Sequence, residues 1–165
     1  MTAPLFSGRA RRSVAALGAV SAGLLVLSAC DKPTPLATVT VGSSSVTAEA
    51  TCLPAKGAKE LSEKQLSDCL TPDPKNTKTI DFSPGDVLRL GVDPEIVEGG
   101  KRWAAVAGQQ GLGEPTDKTY QSFNGVNPFA TNGQGPAPES MPVHIAQFGE
   151  DNKPIAIWSF TLKRV

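Results

Sequence analysis

Residues 37–52 read ATVTVGSSSVTAEATC, a stretch in which small apolar side chains alternate with polar ones on either side of a turn. The residues of 37–41 and those of 46–52 repeat with a period of two, which is typical of β-strands that bury one face. Gly42-Ser43-Ser44 lies between them and favours a tight turn. The stretch therefore predicts two neighbouring strands at the start of a β-rich domain.

The same period returns further along the chain. Ser83-Pro84-Gly85-Asp86 places Pro and Gly at their preferred turn positions and separates two of the later segments. The turn residues 150–152 separate the last two segments, which we expect to form a hairpin. The later predicted strands are 80–82, 88–92, 101–107, 141–146 and 153–164.

The strand predicted over 153–164 carries two apolar sets that are offset by one residue. The sets are Ile155 with Ile157, and Trp158 with Phe160 and Leu162. Either a bulge near 157–158 or a strand covered on both faces would accommodate them. Trp103 and Trp158 are expected to fill the middle of the core.

Before the first strand lies a segment with the layout of a bacterial export signal. Arg9, Arg11 and Arg12 precede an uncharged run of seventeen residues, 13–29, which is short for a membrane-spanning helix. Leu27-Ser28-Ala29-Cys30 then resembles a lipobox, in which small residues admit the peptidase and the Cys30 thiol forms a thioether to diacylglycerol. An uncleaved transmembrane helix and a secretory signal with a coincidental cysteine are the alternatives. The Sec and twin-arginine export routes both stay open.

The sequence divides into a signal peptide over 1–29, a lipidated tether over 30–36 and a β-sandwich domain over 37–165. The prolines of the tether make it a short, stiff link to the outer face of the cell membrane. Removing 1–29 takes away three of the 16 basic residues and none of the 16 acidic ones, which leaves a formal net charge of −3. Because no concentrated basic surface results, nucleic acid is not an expected partner.

Once Cys30 is lipidated, Cys52 and Cys69 are the remaining thiols of an exported chain, and we expect them to form a disulfide. A metal site or a redox pair is the alternative, but the chain has one histidine and the spacing is not C-x-x-C. Between the two cysteines, Ser62 to Gln65 fits a capping box at the start of a short helix that ends before Pro72.

Short strands and one helix near a disulfide predict a mainly β fold. An antiparallel immunoglobulin-like β-sandwich fits this pattern best. A small barrel or a cupredoxin-like sandwich is the alternative. The segments 109–119 and 124–139 are rich in Gly, Pro and Asn and are expected to be long loops.

Three parts of the chain together resemble a family of small actinobacterial lipoproteins that is known only as a domain of unknown function. They are CDKPTPLATVTVG at 30–42, GVDPEI at 91–96 and WSFTLKRV at 158–165. The resemblance spans essentially the whole chain, and its most specific part runs from 30 to 41. It implies export, lipidation and a sandwich fold, and it transfers no catalytic or binding residue.

Candidate catalytic and metal-binding residues are few. His144 is the single histidine, and since it falls in mid-strand without a G-x-S-x-G elbow in the chain, we expect it to face solvent. Asp93, Glu95 and Glu98 crowd one loop, but calcium needs six or more oxygens and glycoside hydrolysis needs two carboxyls across a cleft. We therefore expect no catalytic residue, no metal site and no cofactor.

Tyr120, Phe123 and Phe129 lie within ten residues and have amide side chains for neighbours. Such a group suits a sugar or peptide ligand, and these three residues are the predicted ligand contacts. Alternatively, they close one end of the sandwich. The expected function is that of a membrane-anchored, non-enzymatic module that binds an envelope protein or glycan. An extracytoplasmic hydrolase and a passive surface spacer are the alternatives.

Overall fold

The predicted β-rich fold is confirmed by a computed structural model, which describes residues 34–71, 77–108, 110–131 and 135–165. The predicted signal peptide and Cys30 lie outside these residues. Within them the chain forms one α-helix, α1 (Glu63–Leu70), a 3-10 turn (Pro94–Ile96) and nine strands. The strands are β1 Leu36–Val41, β2 Ser44–Glu49, β3 Lys78–Phe82, β4 Leu88–Val92, β5 Arg102–Ala107, β6 Gln110–Thr116, β7 Tyr120–Phe123, β8 Ser140–Phe148 and β9 Pro154–Arg164.

These strands form two sheets. The first has the order β2-β1-β4-β7 and is antiparallel, and the second has the order β3-β9-β8-β5-β6. Apolar side chains from the inner faces of both sheets belong to one buried cluster, so the sheets pack face to face. Trp103 and Trp158 are fully buried in this cluster, as the sequence predicts.

The alternating stretch that opens the domain forms the hairpin β1–β2. Gly42 and Ser43 connect the strands, and Gly42 has φ +57°, in the left-handed region that two-residue hairpin turns require. The predicted turn at 83–86 is present as well. Its Gly85 has φ +94°, and the N–H of Asp86 donates to the carbonyl of Ser83 at 3.0 Å.

The predicted helix and disulfide are both present. Ser62 Oγ accepts from the N–H of Gln65, and Gln65 Oε1 accepts from the N–H of Ser62, which completes the capping box. Cys52 and Cys69 form a disulfide with their Cα atoms 6.0 Å apart. However, α1 buries none of its residues, so its apolar side chains lie at the surface of the domain rather than in the core.

β9 is buried on both faces and has no bulge at 157–158, so the second of the two predicted explanations for its offset apolar sets is the right one. Its register against β8 is regular at Ile157 and Trp158, so no bulge lies there. Trp158 faces the core, whereas Ile157 is buried on the outer face. The N–H groups of Thr51 and Cys52 both donate to the carbonyl of Ile157, at 2.8 and 3.1 Å. The N–H of Ile157 donates back to the carbonyl of Cys52 at 3.0 Å, so the two residues form an antiparallel bridge and the segment that carries the disulfide runs beside β9, on the edge that β8 does not occupy.

The prediction of a wholly antiparallel sandwich is wrong for one strand pair. β3 lies parallel to β9, with Lys78 opposite Phe160 and Phe82 opposite Arg164. β3 follows β2 through the long connection 50–77, and a connection of this length can return the chain in either direction. An alternating pattern shows which face of a strand is buried, but it does not show which way the strand runs.

The prediction of a loop over 109–119 is also wrong, because β6 forms an edge of the second sheet there. Leu112 is its one buried side chain, which leaves no visible period of two in the sequence. Gly113 has φ +77° beside an irregularity in the β5–β6 register, and Pro115 is tolerated because an edge strand needs no N–H on its outer side. The described part of 124–139 contains no strand, as predicted.

The ordered domain begins before the predicted boundary at residue 37. The carbonyl of Pro35 accepts the indole N–H of Trp158 at 3.0 Å. Leu36 opens β1, and its N–H donates to Asp93 Oδ2 at 2.7 Å, while the N–H of Asp93 donates back to the carbonyl of Leu36. Residues 35 and 36 are therefore held against the domain by these hydrogen bonds.

Candidate functional site

A groove of about 630 Å³ lies beside the disulfide, where the end of β2, the end of α1 and the start of β3 meet. Both disulfide cysteines and Leu36 line it. Most of the other lining residues carry a hydroxyl or a charged group. They are Thr47, Thr51, Thr71, Thr77 and Ser159, and Glu49, Asp68 and Lys78. The surface that these residues present to the groove is nevertheless mainly apolar, so the groove combines an apolar surface with hydrogen-bonding groups and charges of both signs.

His144 lies next to this groove, and the prediction that it faces solvent is wrong. Only 5% of its surface is exposed. It stands on β8 directly opposite Ser159 of β9, with its Nδ1 2.9 Å from Ser159 Oγ. Ser159 in turn lies 3.0 Å from Thr51 Oγ1, a contact across 108 sequence positions that the local pattern could not show. Burial disfavours the charged imidazolium and lowers the pKa of His144 below its ordinary value.

Hydroxyl groups fix the direction of the hydrogen bonds around His144. Thr51 Oγ1 lies 2.9 Å from the carbonyl oxygen of Ile157, which can only accept, so Thr51 donates its proton there. Ser159 Oγ must then donate to Thr51 Oγ1, at 3.0 Å. His144 Nδ1 must in turn donate to Ser159 Oγ. The imidazole is therefore the neutral tautomer with its proton on Nδ1, and it begins a chain of donors that ends at Ile157.

This polarity opposes catalysis by Ser159. A histidine that acts as a general base must accept the proton of the serine hydroxyl, whereas His144 donates to it. Ser159 is only 3% exposed, although it contributes to the lining of the groove. The arrangement instead ties the outer faces of β8 and β9 to the segment that carries Thr51.

The three predicted aromatic contacts are placed in different environments. Tyr120 and Phe123 lie on β7, at one edge of the first sheet. Tyr120 is 53% exposed, while Phe123 packs partly against the core. Phe129 is buried, with its ring centroid 6.1 Å from that of Phe82. Of the three, Tyr120 is open to a ligand and Phe129 anchors a loop, and their contact with a ligand stays a prediction.

The amide side chains near these aromatics also differ in their surroundings. Asn127 Oδ1 accepts from the N–H of Phe129 at 3.2 Å, which shapes the turn that inserts Phe129 into the core. Gln121 lies beside Tyr120 on β7, and its Oε1 is buried without a hydrogen-bond partner among the described residues. Asn127 therefore has a structural role.

The acidic loop after β4 has a structural role. Asp93 accepts from the N–H of Leu36 and thereby fixes the beginning of the domain. Ile96 is buried, and its carbonyl accepts from Gln147 Nε2 at 2.6 Å. Within the described ranges, no group of three or more His, Cys, Asp or Glu side chains is placed to hold a metal ion. The first half of this loop is tied into the domain through Asp93 and Ile96.

Ser159 and Thr51 are functional-site residues that the sequence analysis missed. The predicted turn over 150–152 is centred on 151 and would place Trp158 opposite His144, whereas the observed register, which shifts between Gln147 and Phe148, places Ser159 there. The contact of Thr51 with Ser159 spans 108 sequence positions, so no local pattern could indicate it.

Comparison with known proteins adds no functional assignment. No protein-family model matches the chain, and no curated protein is significantly similar to it. Among the helices that the structure describes, none has the length and apolar character needed to span a membrane.

Proposed function

We propose that the chain is a lipid-anchored extracytoplasmic protein whose two-sheet domain binds another component of the cell envelope, a protein or a glycan, without catalysis. The anchor is a diacylglycerol thioether on Cys30 after removal of 1–29, and it holds the domain at the outer face of the cell membrane. The Cys52–Cys69 disulfide supports this location, because disulfides persist in exported proteins and are rare in the cytosol. The resemblance to small actinobacterial lipoproteins agrees with it.

The exposure of Tyr120 is the observation that carries the binding proposal. This side chain combines an apolar ring with a hydroxyl group, a combination that is enriched at binding surfaces. It stands on β7, whose second edge pairs with no strand in the described part of the chain. An extended segment of a partner protein can pair with such an edge, and a glycan can stack on the ring instead.

We further propose an immunoglobulin-like arrangement of the two sheets. It is supported by sheets of four and five strands that are mainly antiparallel and share one core. Two features depart from that arrangement. β3 is parallel to β9, and the disulfide joins Cys52 of the connection between β2 and β3 to Cys69 of α1 rather than linking the two sheets. A small barrel and a cupredoxin-like sandwich are the alternatives.

A hydrolase is the second candidate function, and one contact favours it. Ser159 lines the groove and lies 2.9 Å from His144. A hydrolase of this kind would turn over nitrophenyl esters, and Ser159→Ala would abolish the turnover. We expect no turnover by the wild-type protein, because the hydrogen bond between the two residues has the wrong polarity for proton abstraction.

Mass spectrometry of the protein from its native membrane tests the anchor. The expected product begins at Cys30 and carries a diacylglycerol thioether on its sulfur. An intact segment 1–29 joined to a free Cys30 thiol would contradict the proposal.

Crosslinking in intact cells, followed by identification of the captured molecules, tests the binding surface. Tyr120→Ala is expected to reduce recovery of the partner by about tenfold or more, as for an interface hot spot. Val106→Ala is the matched control, because Val106 is also a large exposed side chain but lies on β5 of the other sheet. Equal recovery with both variants would contradict binding at β7. If the wild-type protein captures no partner reproducibly, the alternative function of a passive surface spacer is favoured.

A further inference from the structure

The two sheets end in four edge strands, and three of these edges carry features that limit pairing with another chain. β3 holds the charged Lys78 and Asp81. β6 holds Pro115 and an irregular register at Gly113, and β7 is only four residues long. Charges, proline, irregularities and short length all discourage edge-to-edge association. β2 is the fourth edge, and over 44–48 it has no charge, no proline and no irregularity in its register with β1.

The backbone of β2 has unpaired groups along its outer side. The N–H of Asp93 donates to the carbonyl of Leu36 at 3.0 Å, so Leu36 directs its backbone groups toward β4. Backbone groups along an antiparallel strand point alternately to its two neighbours, so Ala37, Val39 and Val41 bond to β2 instead. The residues of β2 that direct their N–H and C=O groups away from β1 are Ser45, Thr47 and Glu49. Within the part of the chain that the structure describes, those groups have no hydrogen-bond partner.

We propose that β2 pairs with β2 of a second copy of the chain, antiparallel and centred on Thr47, so that the two four-stranded sheets become one continuous sheet. A two-fold axis then relates the copies, and the same strand supplies both sides of the interface. Thr47 lies opposite Thr47 of the second copy, and Ser45 lies opposite Glu49. Each outward-facing residue exchanges its N–H and C=O with the residue opposite, which satisfies the unpaired groups. This pairing is independent of the ligand proposed for β7 and of the lipid on Cys30.

The side chains of β2 favour this register over its neighbours. It pairs all three outward-facing residues of both copies, whereas moving the centre by one residue leaves one of them without a strand opposite. On the inner face it places the half-buried Val46 opposite Ala48 of the second copy, so apolar side chains meet. On the outer face the Ser45 hydroxyl can donate to the Glu49 carboxylate. A register centred on Glu49 would instead place two carboxylates opposite each other, which is destabilising.

The groove beside the disulfide provides space for the second copy. It borders the second half of β2, from Thr47 onward, and continues along the chain to Cys52. In the proposed register the β1–β2 turn of the second copy, Gly42-Ser43, reaches the level of 51–52. The side chains of this turn are small, and the groove has a volume of about 630 Å³. The groove is therefore where the turn of the second copy is received.

Cysteine crosslinking in intact cells tests the pairing and its register. Opposite residues that exchange hydrogen bonds in antiparallel strands have Cα atoms about 5.5 Å apart, which a disulfide can span. We expect Thr47→Cys in the full chain to form a covalent dimer on mild oxidation, seen as a doubled mass on a non-reducing gel. Ser45→Cys and Glu49→Cys are the matched controls on the same strand.

Neither control should crosslink alone, because each position lies four residues, about 13 Å along the strand, from its symmetry mate. Combined in one chain, Ser45→Cys/Glu49→Cys should crosslink, since these positions lie opposite each other. Absence of a dimer with Thr47→Cys, or equal dimer yields from all three single variants, would overturn the inference. A crosslink from Thr47→Cys to a different protein would assign the edge to another partner and overturn it as well.

Thr47→Pro tests the pairing without an added thiol. The outward N–H of Thr47 bonds to no described residue, so we expect the fold to tolerate its loss, as β6 tolerates Pro115. A proline cannot donate to the second copy, however. In analytical ultracentrifugation of the full protein in detergent, the wild type should sediment as a dimer and Thr47→Pro as a monomer with an unchanged circular-dichroism spectrum.

Thr47→Ala is the control for the proline variant, because it keeps the N–H and should remain a dimer. A monomeric wild-type protein, or a dimeric Thr47→Pro, would contradict the pairing. None of these variants alters Tyr120 or Cys30, so either failure leaves the proposed function untouched.

Discussion

The indole N–H of Trp158 donates to the carbonyl of Pro35, 123 positions earlier in the chain, at 3.0 Å. Trp103 makes a matching contact, since its indole N–H donates to the carbonyl of Lys118 at 2.6 Å. Each buried tryptophan therefore fills the core and also holds a segment of backbone at the border of the domain. Trp158 fixes Pro35, where the chain enters the domain, and Trp103 fixes Lys118, just before β7.

Replacing Trp158 with phenylalanine should weaken the attachment of residues 35 and 36 to the domain. Trp158→Phe keeps an aromatic ring but leaves the carbonyl of Pro35 without its donor and removes buried volume, so we expect a loss of about 2 kcal/mol in the free energy of unfolding. Urea denaturation measures this loss, and amide hydrogen exchange should become faster at Leu36. Trp103→Phe is the matched control, in which exchange should accelerate at 118–123 instead. The same exchange pattern in both variants would contradict the assigned roles.

Removing the disulfide should release α1 before the rest of the domain. In Cys52→Ser/Cys69→Ser the constraint on a loop of about 18 residues is lost, which costs about 3 kcal/mol in the chain-entropy model. Because α1 buries no residue, we expect loss of hydrogen-exchange protection in the helix while the two sheets stay protected.

Ser62→Ala is the matched control for the disulfide. It breaks the capping box but keeps the covalent link, and we expect it to cost about 1 kcal/mol. If the double cysteine variant lost no more stability than Ser62→Ala, the disulfide would not be the main attachment of the helix.

The elements that the sequence predicts well are those decided by near neighbours along the chain. β1, β2 and β4 follow from alternation, the β8–β9 hairpin follows from its turn, and α1 follows from Ser62 and Gln65. The parallel direction of β3 depends on β9, which is distant in sequence, and no local pattern contains that information. β6 pairs with its neighbour β5, but it was missed because it has a single buried side chain and contains Gly and Pro.

The same division applies to the candidate site. The pairing of Cys52 with Cys69 follows from the count of cysteines and the expected compartment. The burial of His144 could not be predicted, because its hydrogen bond to Ser159 is part of a network that includes Thr51, more than ninety positions earlier. The different environments of Tyr120 and Phe129 could not be predicted either. Both residues are aromatic and close in sequence, but only Phe129 is buried in the core.

His144 should make the stability of the domain depend on pH. Burial lowers its pKa in the folded state, so the unfolded chain, with a histidine pKa of about 6.5, takes up the proton first. The stabilisation is fully present above about pH 6.5 and is lost as the pH falls below it, with a slope of up to about 1.4 kcal/mol per pH unit. Urea denaturation between about pH 7.5 and pH 5 measures the effect, in a range where most carboxyl groups keep their charge.

His144→Asn is the control for this pH dependence. It keeps a hydrogen-bonding group near the position of Nδ1 but does not titrate, and His144 is the single histidine of the chain. We therefore expect the free energy of unfolding of the variant to be nearly constant over the same range. A slope that persists in His144→Asn would assign the effect to another group.

The tautomer of His144 should depend on the hydroxyl group of Thr51. In the wild-type protein Thr51 gives its proton to Ile157, which obliges Ser159 to donate to Thr51 and His144 Nδ1 to donate to Ser159. Thr51→Val keeps the shape of the side chain but frees the proton of Ser159. Ser159 can then donate to Nδ1, and the proton of the ring moves to Nε2.

Long-range proton–nitrogen NMR spectra distinguish the two tautomers of a neutral imidazole. We expect an Nδ1–H ring in the wild-type protein and in the control Thr51→Ser, which keeps the hydroxyl, and an Nε2–H ring in Thr51→Val. An Nε2–H ring in the wild-type protein would reverse the polarity derived above. Nδ1 would then be free to accept the proton of Ser159, and the case against a hydrolytic Ser159–His144 pair would lose its main support.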